Sequence, residues 1–175
     1  MRVLTTGYGP FLSVTENPSG WLVERCGAPY VVLPVSYAAV DKFLAELDPD
    51  SFDALVMVGV HGRARKMRLE SVARNVVGKT PDVDQVVLGP GKIDPAGPDR
   101  IATSLWRNNW WPEASQSFTL TKDAGGYLCN YIFYRAAQRF PEKQVGFLHV
   151  PPWNNVGQEW QLTAFRRLLA RLQEM

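Results

Sequence analysis

Cysteine is scarce in this chain, with Cys26 and Cys129 the only two, and neither belongs to a CxxC pair. That scarcity argues against a disulfide framework and against a thiolate zinc site. Histidine is as rare, so any imidazole chemistry must use His61 or His149. Charge of one sign is also lacking. A net charge of +2 is too small to imply a nucleic acid or an anionic membrane as partner. The basic run Phe165-Arg-Arg-Leu-Leu-Ala-Arg-Leu172 reads as a solvated helix face, its cations near the negative end of the dipole. No apolar run is long enough to span a bilayer, and Met1-Arg-Val-Leu-Thr-Thr6 reads directly as a strand with no secretory apolar region before it. The expected setting is a reducing cytoplasm. Repeats, low-complexity tracts and linkers are absent, so residues 1–175 are expected to form a single domain.

What is present is an alternation of short apolar runs and segments of helical spacing. Strands are expected over 2–6, 30–34, 54–60, 67–77, 117–121 and 144–150. Helices are expected after an N-cap at Ser19, then over 37–47, 99–108, 128–140 and 159–172. Residues 78–98, dense in Gly, Pro and Asp, read as a long surface loop or hairpin. Strands apolar on both faces, alternating with helices, predict an α/β fold with a mainly parallel sheet between helical layers. Sites in such sheets gather at the carboxyl ends of strands, and Gly7, Gly59 and His149 all end or follow predicted strands.

Cys129 stands out within Asp123-Ala-Gly-Gly-Tyr-Leu-Cys-Asn-Tyr-Ile-Phe-Tyr134. A glycine pair runs there into a helix-like stretch, which puts a thiol in the first helical turn. Free backbone N–H groups and the positive end of the dipole favour a thiolate, the nucleophilic form. A thiol nucleophile needs a base within reach, and the base an orienting acid. His149, closing the run Val145-Gly-Phe-Leu-His-Val150, suits the base; Glu70 and Asp82 are the candidate acids. These residues alone leave a cysteine hydrolase balanced against ordinary core packing.

Several segments then resemble one family, pyroglutamyl peptidase type I, also called pyrrolidone-carboxylate peptidase. They are Val3-Leu-Thr-Thr-Gly-Tyr-Gly-Pro-Phe11 with Asn17-Pro18, then Leu33-Pro34-Val35. Val58-Gly59 follows, with Leu69-Glu-Ser-Val-Ala-Arg-Asn75 and Pro81-Asp82. The last two are Ala124-Gly-Gly-Tyr-Leu-Cys-Asn130 and Gly146-Phe-Leu-His-Val-Pro151. The resemblance implies a three-layer α/β/α sandwich of the phosphorylase/hydrolase-like kind. It also implies a Cys-His-Glu triad of Cys129, His149 and Glu70, and hydrolytic release of pyroglutamate from peptide N-termini without metal or cofactor. Peptides with N-terminal pyroglutamate are the implied partners, and the family forms homo-oligomers, often tetramers. Tyr8, Phe11, Tyr127 and Leu128 are expected to wall the lactam pocket, with backbone groups at Val60.

Departures from the pattern are Leu12-Ser13 where the family has a glycine pair and Val60 where it commonly has Gln. Lys79-Thr80 stands in place of Arg-Ile, and Trp153-Asn-Asn155 in place of a longer loop. A thiol amidase of altered specificity and a non-catalytic peptide-binding module are the alternative readings. His61 is expected to be a loop residue that no motif requires, and Cys26 to be inert. Asp82 is expected to cap a turn or to support the active-site architecture. Trp106, Trp110 and Trp111 are expected to pack in the core or between subunits.

Overall fold

The computed structural model describes residues 1–11, 14–106 and 116–175. In chain order its elements are β1 (Val3–Tyr8), α1 (Pro18–Arg25), β2 (Tyr30–Leu33), α2 (Tyr37–Glu46), β3 (Ala54–Val60), β4 (Met67–Glu70), β5 (Val72–Arg74), β6 (Arg100–Ala102), β7 (Phe118–Thr121), α3 (Leu128–Arg139), β8 (Gln144–Val150) and α4 (Gln158–Gln173). The main sheet runs β2-β1-β3-β8-β4-β7. Its pairings are parallel except β4 against β8. The expected mainly parallel α/β sandwich is the fold observed.

Period-2 alternation in the buried strands sends side chains into two separate cores. From β3, Ala54, Val56 and Val58 face α1 and α4, where Leu22, Phe165, Leu168 and Leu172 close one layer. Leu55 and Met57 face α2 and α3, where Val40, Leu44, Ile132 and Phe133 close the other. Among the described residues no helix is long and apolar enough to cross a membrane.

Three local expectations are corrected. The N-cap of α1 is Asn17, not Ser19: the Asn17 carboxamide accepts from the Ser19 N–H, and Pro18 takes the first helical position. Proline suits that position because its missing N–H has no helical partner there. Ser19 is instead buried inside the helix, where its hydroxyl accepts from the Tyr8 N–H. The stretch 67–77 is two strands broken at Ser71, and the second leaves the main sheet to pair with β6. The expected helix over 99–108 is therefore strand at Arg100–Ala102, with 107 and 108 outside the described residues. Tertiary pairing overrides local propensity here. The Thr103 N–H donates to Ser71 and its hydroxyl to Val145, while Leu105 and Trp106 turn into the core. Trp106 thus packs as expected; Trp110 and Trp111 lie outside the described residues.

Candidate active site

β3 and β8 lie side by side in parallel register, pairing Gly59 with His149. β4 runs antiparallel on the other side of β8, pairing Glu70 with Phe147. α3 begins over the carboxyl end of β3 and carries Cys129 as its second residue. Three residues distant in sequence thereby meet above the middle of the sheet. Glu70 has no exposed surface and His149 is 3% exposed. The Glu70 Oε1 lies 2.8 Å from His149 Nδ1. A carboxylate can only accept, so Nδ1 carries a proton and Nε2 is the nitrogen left for Cys129, which lies close enough to act on the imidazole's pKa.

Burial by itself lowers the His149 pKa, but the Cys129 charge, the hydrogen bond to it and Glu70 together outweigh burial and push it up to about 9. Trp106 Nε1–H donates to the Glu70 carbonyl at 3.0 Å and pins the strand that presents the carboxylate.

The start of α3 leaves backbone donors without helical partners. Its cap residue Tyr127 makes no side-chain capping bond, and the first helical bond runs from the Tyr131 N–H to Tyr127. The N–H groups of residues 128–130 precede that bond and carry the positive end of the dipole. Gly125 sits at φ +84°, where a side chain would be strained, and turns the chain into the helix. Gly59 is required for a different reason: a Cβ there would lie 2.6 Å from Cys129 Sγ and 2.8 Å from Phe147 Cζ. The sulfur is seated directly on the backbone of β3.

Beside the sulfur opens a cavity of about 360 Å³. Tyr8, Phe11, Val60, Tyr127 and Leu128 are among the residues that line it. The Phe11 and Tyr127 rings stand 6.0 Å apart. Tyr8 is buried, and its hydroxyl donates to the Leu128 carbonyl at 3.1 Å. Burial pushes that phenol well above its ordinary pKa, with the Cys129 charge adding, so it stays a neutral donor. Tyr127 is raised to about 12, again mainly by burial, and donates to Pro81.

A family model described as pyroglutamyl peptidase matches residues 1–159. The chain belongs to the pyroglutamyl peptidase family. Among similar proteins, the pyrrolidone-carboxylate peptidase of Clavibacter michiganensis is 32% identical, over 85% of this chain and 78% of that protein. Human pyroglutamyl-peptidase 1 is 29% identical, over 99% and 88%. The solved pyrrolidone carboxyl peptidase of Thermus thermophilus superposes with a TM-score of 0.80 at 31% identity, covering 94% of this chain and 96% of its own. That of Fervidobacterium islandicum gives 0.85 at 26%, covering 98% of each.

Further residues join the cavity and its supports. Val35, Pro152, Trp153, Glu16 and Asn17 also line the cavity. Asn130, fully buried, accepts from the Arg74 N–H and donates to the carbonyls of Arg74 and Val76. It ties the start of α3 to β5, and its place beside Cys129 was its only signal. Asp82 accepts from the N–H groups of Tyr37, Asp84 and Val86, so it builds the turn and also anchors α2 beside Val35. Cys26 is buried and its thiol donates to the Val23 carbonyl. His61, expected to be incidental, lies with its ring 5.4 Å from that of His149.

Proposed function

We propose that this chain is a cysteine peptidase that hydrolyses the bond after an N-terminal pyroglutamyl residue. The observation that carries the reading is the line Cys129–His149–Glu70 at the edge of an apolar cavity. Cys129 acts as nucleophile, His149 as base and then acid, and Glu70 as the carboxylate that holds the imidazole in its working tautomer. The thiolate adds to the pyroglutamyl α-carbonyl carbon, and the carbonyl electrons move onto oxygen. N–H groups at the start of α3 stabilise that oxyanion. As the oxyanion collapses the C–N bond breaks, and the imidazolium passes its proton to the departing amine. Water then adds to the thioester, giving a proton to His149, and pyroglutamate leaves with the thiolate restored.

Pyroglutamate is a flat, neutral lactam without a free amine. The aromatic and aliphatic walls match its ring faces, and backbone groups near Val60 and Leu128 suit its N–H and C=O. A charged α-amine would be desolvated there without a partner, which excludes unmodified N-termini. Peptides with N-terminal pyroglutamate are the partners this reading implies, in a reducing cytoplasm that keeps Cys129 a free thiol. Turnover of a pyroglutamyl-aminocoumarin amide tests the proposal. Release of the fluorophore by the wild type, and none by Cys129→Ala, is expected. Wild-type protein that leaves this amide intact while cleaving another would instead make the chain a thiol amidase of different specificity.

A further inference from the structure

Beside the three residues of the proposed triad lie two side chains, Arg68 and His61, that take no part in the proposed bond-making. Arg68 stands directly opposite His149 in the β4–β8 register. Its Nε lies 3.7 Å from Glu70 Oε1, close enough for an ion pair yet outside hydrogen-bond distance. Among the described residues Arg68 Nε and Glu70 Oε2 are both buried without a hydrogen-bond partner. The Arg68 Nη1 instead lies 3.0 Å from His61 Nε2.

A guanidinium can only donate, so His61 Nε2 accepts and its proton resides on Nδ1. The Arg63 N–H also approaches that Nδ1, at 3.3 Å. A neutral imidazole accepts at one nitrogen only, and the shorter, charge-assisted contact prevails. His61 is held neutral, its pKa lowered by burial, by Arg68 and by His149, against a smaller upward pull from Glu70.

This arrangement has a consequence for Glu70. An arginine fork free to move would close on a carboxylate with two parallel bonds. Here such closure would engage Oε1, which His149 uses, and the unpartnered Oε2. Tied to His61, the guanidinium compensates the buried carboxylate without displacing the imidazole from it.

We propose that Arg68 and His61 form a positioning pair for the His149–Glu70 dyad. Arg68 supplies the cation that the fully buried carboxylate requires, and His61, by accepting from Arg68, sets where that cation stands. The proposal rests on the reading of Cys129 and His149 as nucleophile and base. Neither Arg68 nor His61 lines the cavity, so substrate affinity is not their task.

A double-mutant cycle tests the pair, with Arg68→Met, His61→Ala and both together, and Arg68→Lys to keep the charge without the fork. Each single variant should lower kcat about ten- to a hundredfold with KM unchanged, since small misplacements of reacting groups cost rates of that order. Because His61 acts only through Arg68, the double variant should be no worse than Arg68→Met. Arg68→Lys should recover part of the loss. The His149 Nδ1–H proton resonance should move upfield in His61→Ala, as the released fork draws Glu70 away. Losses that multiply in the double variant, wild-type kcat in either single variant, or equal losses in Arg68→Met and Arg68→Lys would overturn the proposal.

A second readout separates this proposal from the peptidase reading. Iodoacetamide labelling at Cys129, followed by mass spectrometry, reports the thiol without any substrate. The single variants should slow it, again without multiplying in the double. If the wild type left pyroglutamyl amides intact while labelling followed this pattern, the substrate reading would fail and the positioning pair would stand. Labelling at wild-type rate in both single variants would remove the pair.

Discussion

Gly59→Ala tests the site without touching any residue proposed to react. The new methyl would lie 2.6 Å from Cys129 Sγ and 2.8 Å from Phe147 Cζ. Comfortable non-bonded contacts are about 3.5–4.0 Å, so roughly 1 Å must be found. Phe147 has no exposed surface, and its ring is held between Phe133, at 6.1 Å, and His149, at 4.9 Å. The cysteine must therefore turn or α3 must lift, and either motion takes the sulfur away from His149. Overpacking of this kind costs about 1–3 kcal/mol of stability. Each kcal/mol lowers the midpoint of unfolding by roughly 2–4 °C in a domain of this size. Catalysis should suffer more. A displacement near 1 Å costs on the order of a hundredfold in kcat/KM, a barrier increase of about 2.7 kcal/mol. Thermal unfolding and turnover of a pyroglutamyl-aminocoumarin amide measure the two effects side by side. A folded Gly59→Ala protein with wild-type kcat/KM would refute the seating of the sulfur on β3 and the alignment built on it.

Other outcomes follow from the same geometry. Cys129→Ser should leave the fold intact and abolish turnover, because a hydroxyl is a far weaker nucleophile than a thiolate; retained rates would end its proposed role. Glu70→Gln should keep part of the activity, since its carboxamide oxygen can still accept from Nδ1–H. It should also move the alkaline fall of the pH–rate profile to lower pH. His149 stands near 9 partly because of the Glu70 charge, so removing that charge lets the imidazolium deprotonate earlier. An unmoved alkaline limb would show that Glu70 does not act on His149. Asn130→Ala should cost about 2 kcal/mol in urea denaturation at unchanged m-value, through the part-buried backbone groups of Arg74 and Val76 left without its carboxamide.

Where local rules decided the structure, the sequence was sufficient. Apolar runs such as 54–60 and 144–150 could only be buried strands, and the glycine pair before Leu128 could only precede a helix start. Composition alone left the thiol ambiguous; the motif around Cys129, together with those around His149 and Glu70, singled out the three residues that the fold then brings together. Local rules failed where a distant partner intervened. Residues 100–102 became strand because β5 offered them a ladder, and Ser19 lost the capping role to an asparagine followed by proline.

From the chain alone came the layered α/β class, the paucity of thiols and imidazoles that narrowed the chemistry, and the identities of Cys129, His149 and Glu70. The first two follow from residue type and short-range spacing, the third from the resemblance of the surrounding motifs to the family. The tertiary structure alone decided that Gly59 makes room for a sulfur seventy positions away, that Asn130 fastens the nucleophile's helix to β5, and that Arg68 and His61 stand behind Glu70. These are contacts across strand register, and register is set by the packing of the whole sheet rather than by any one segment.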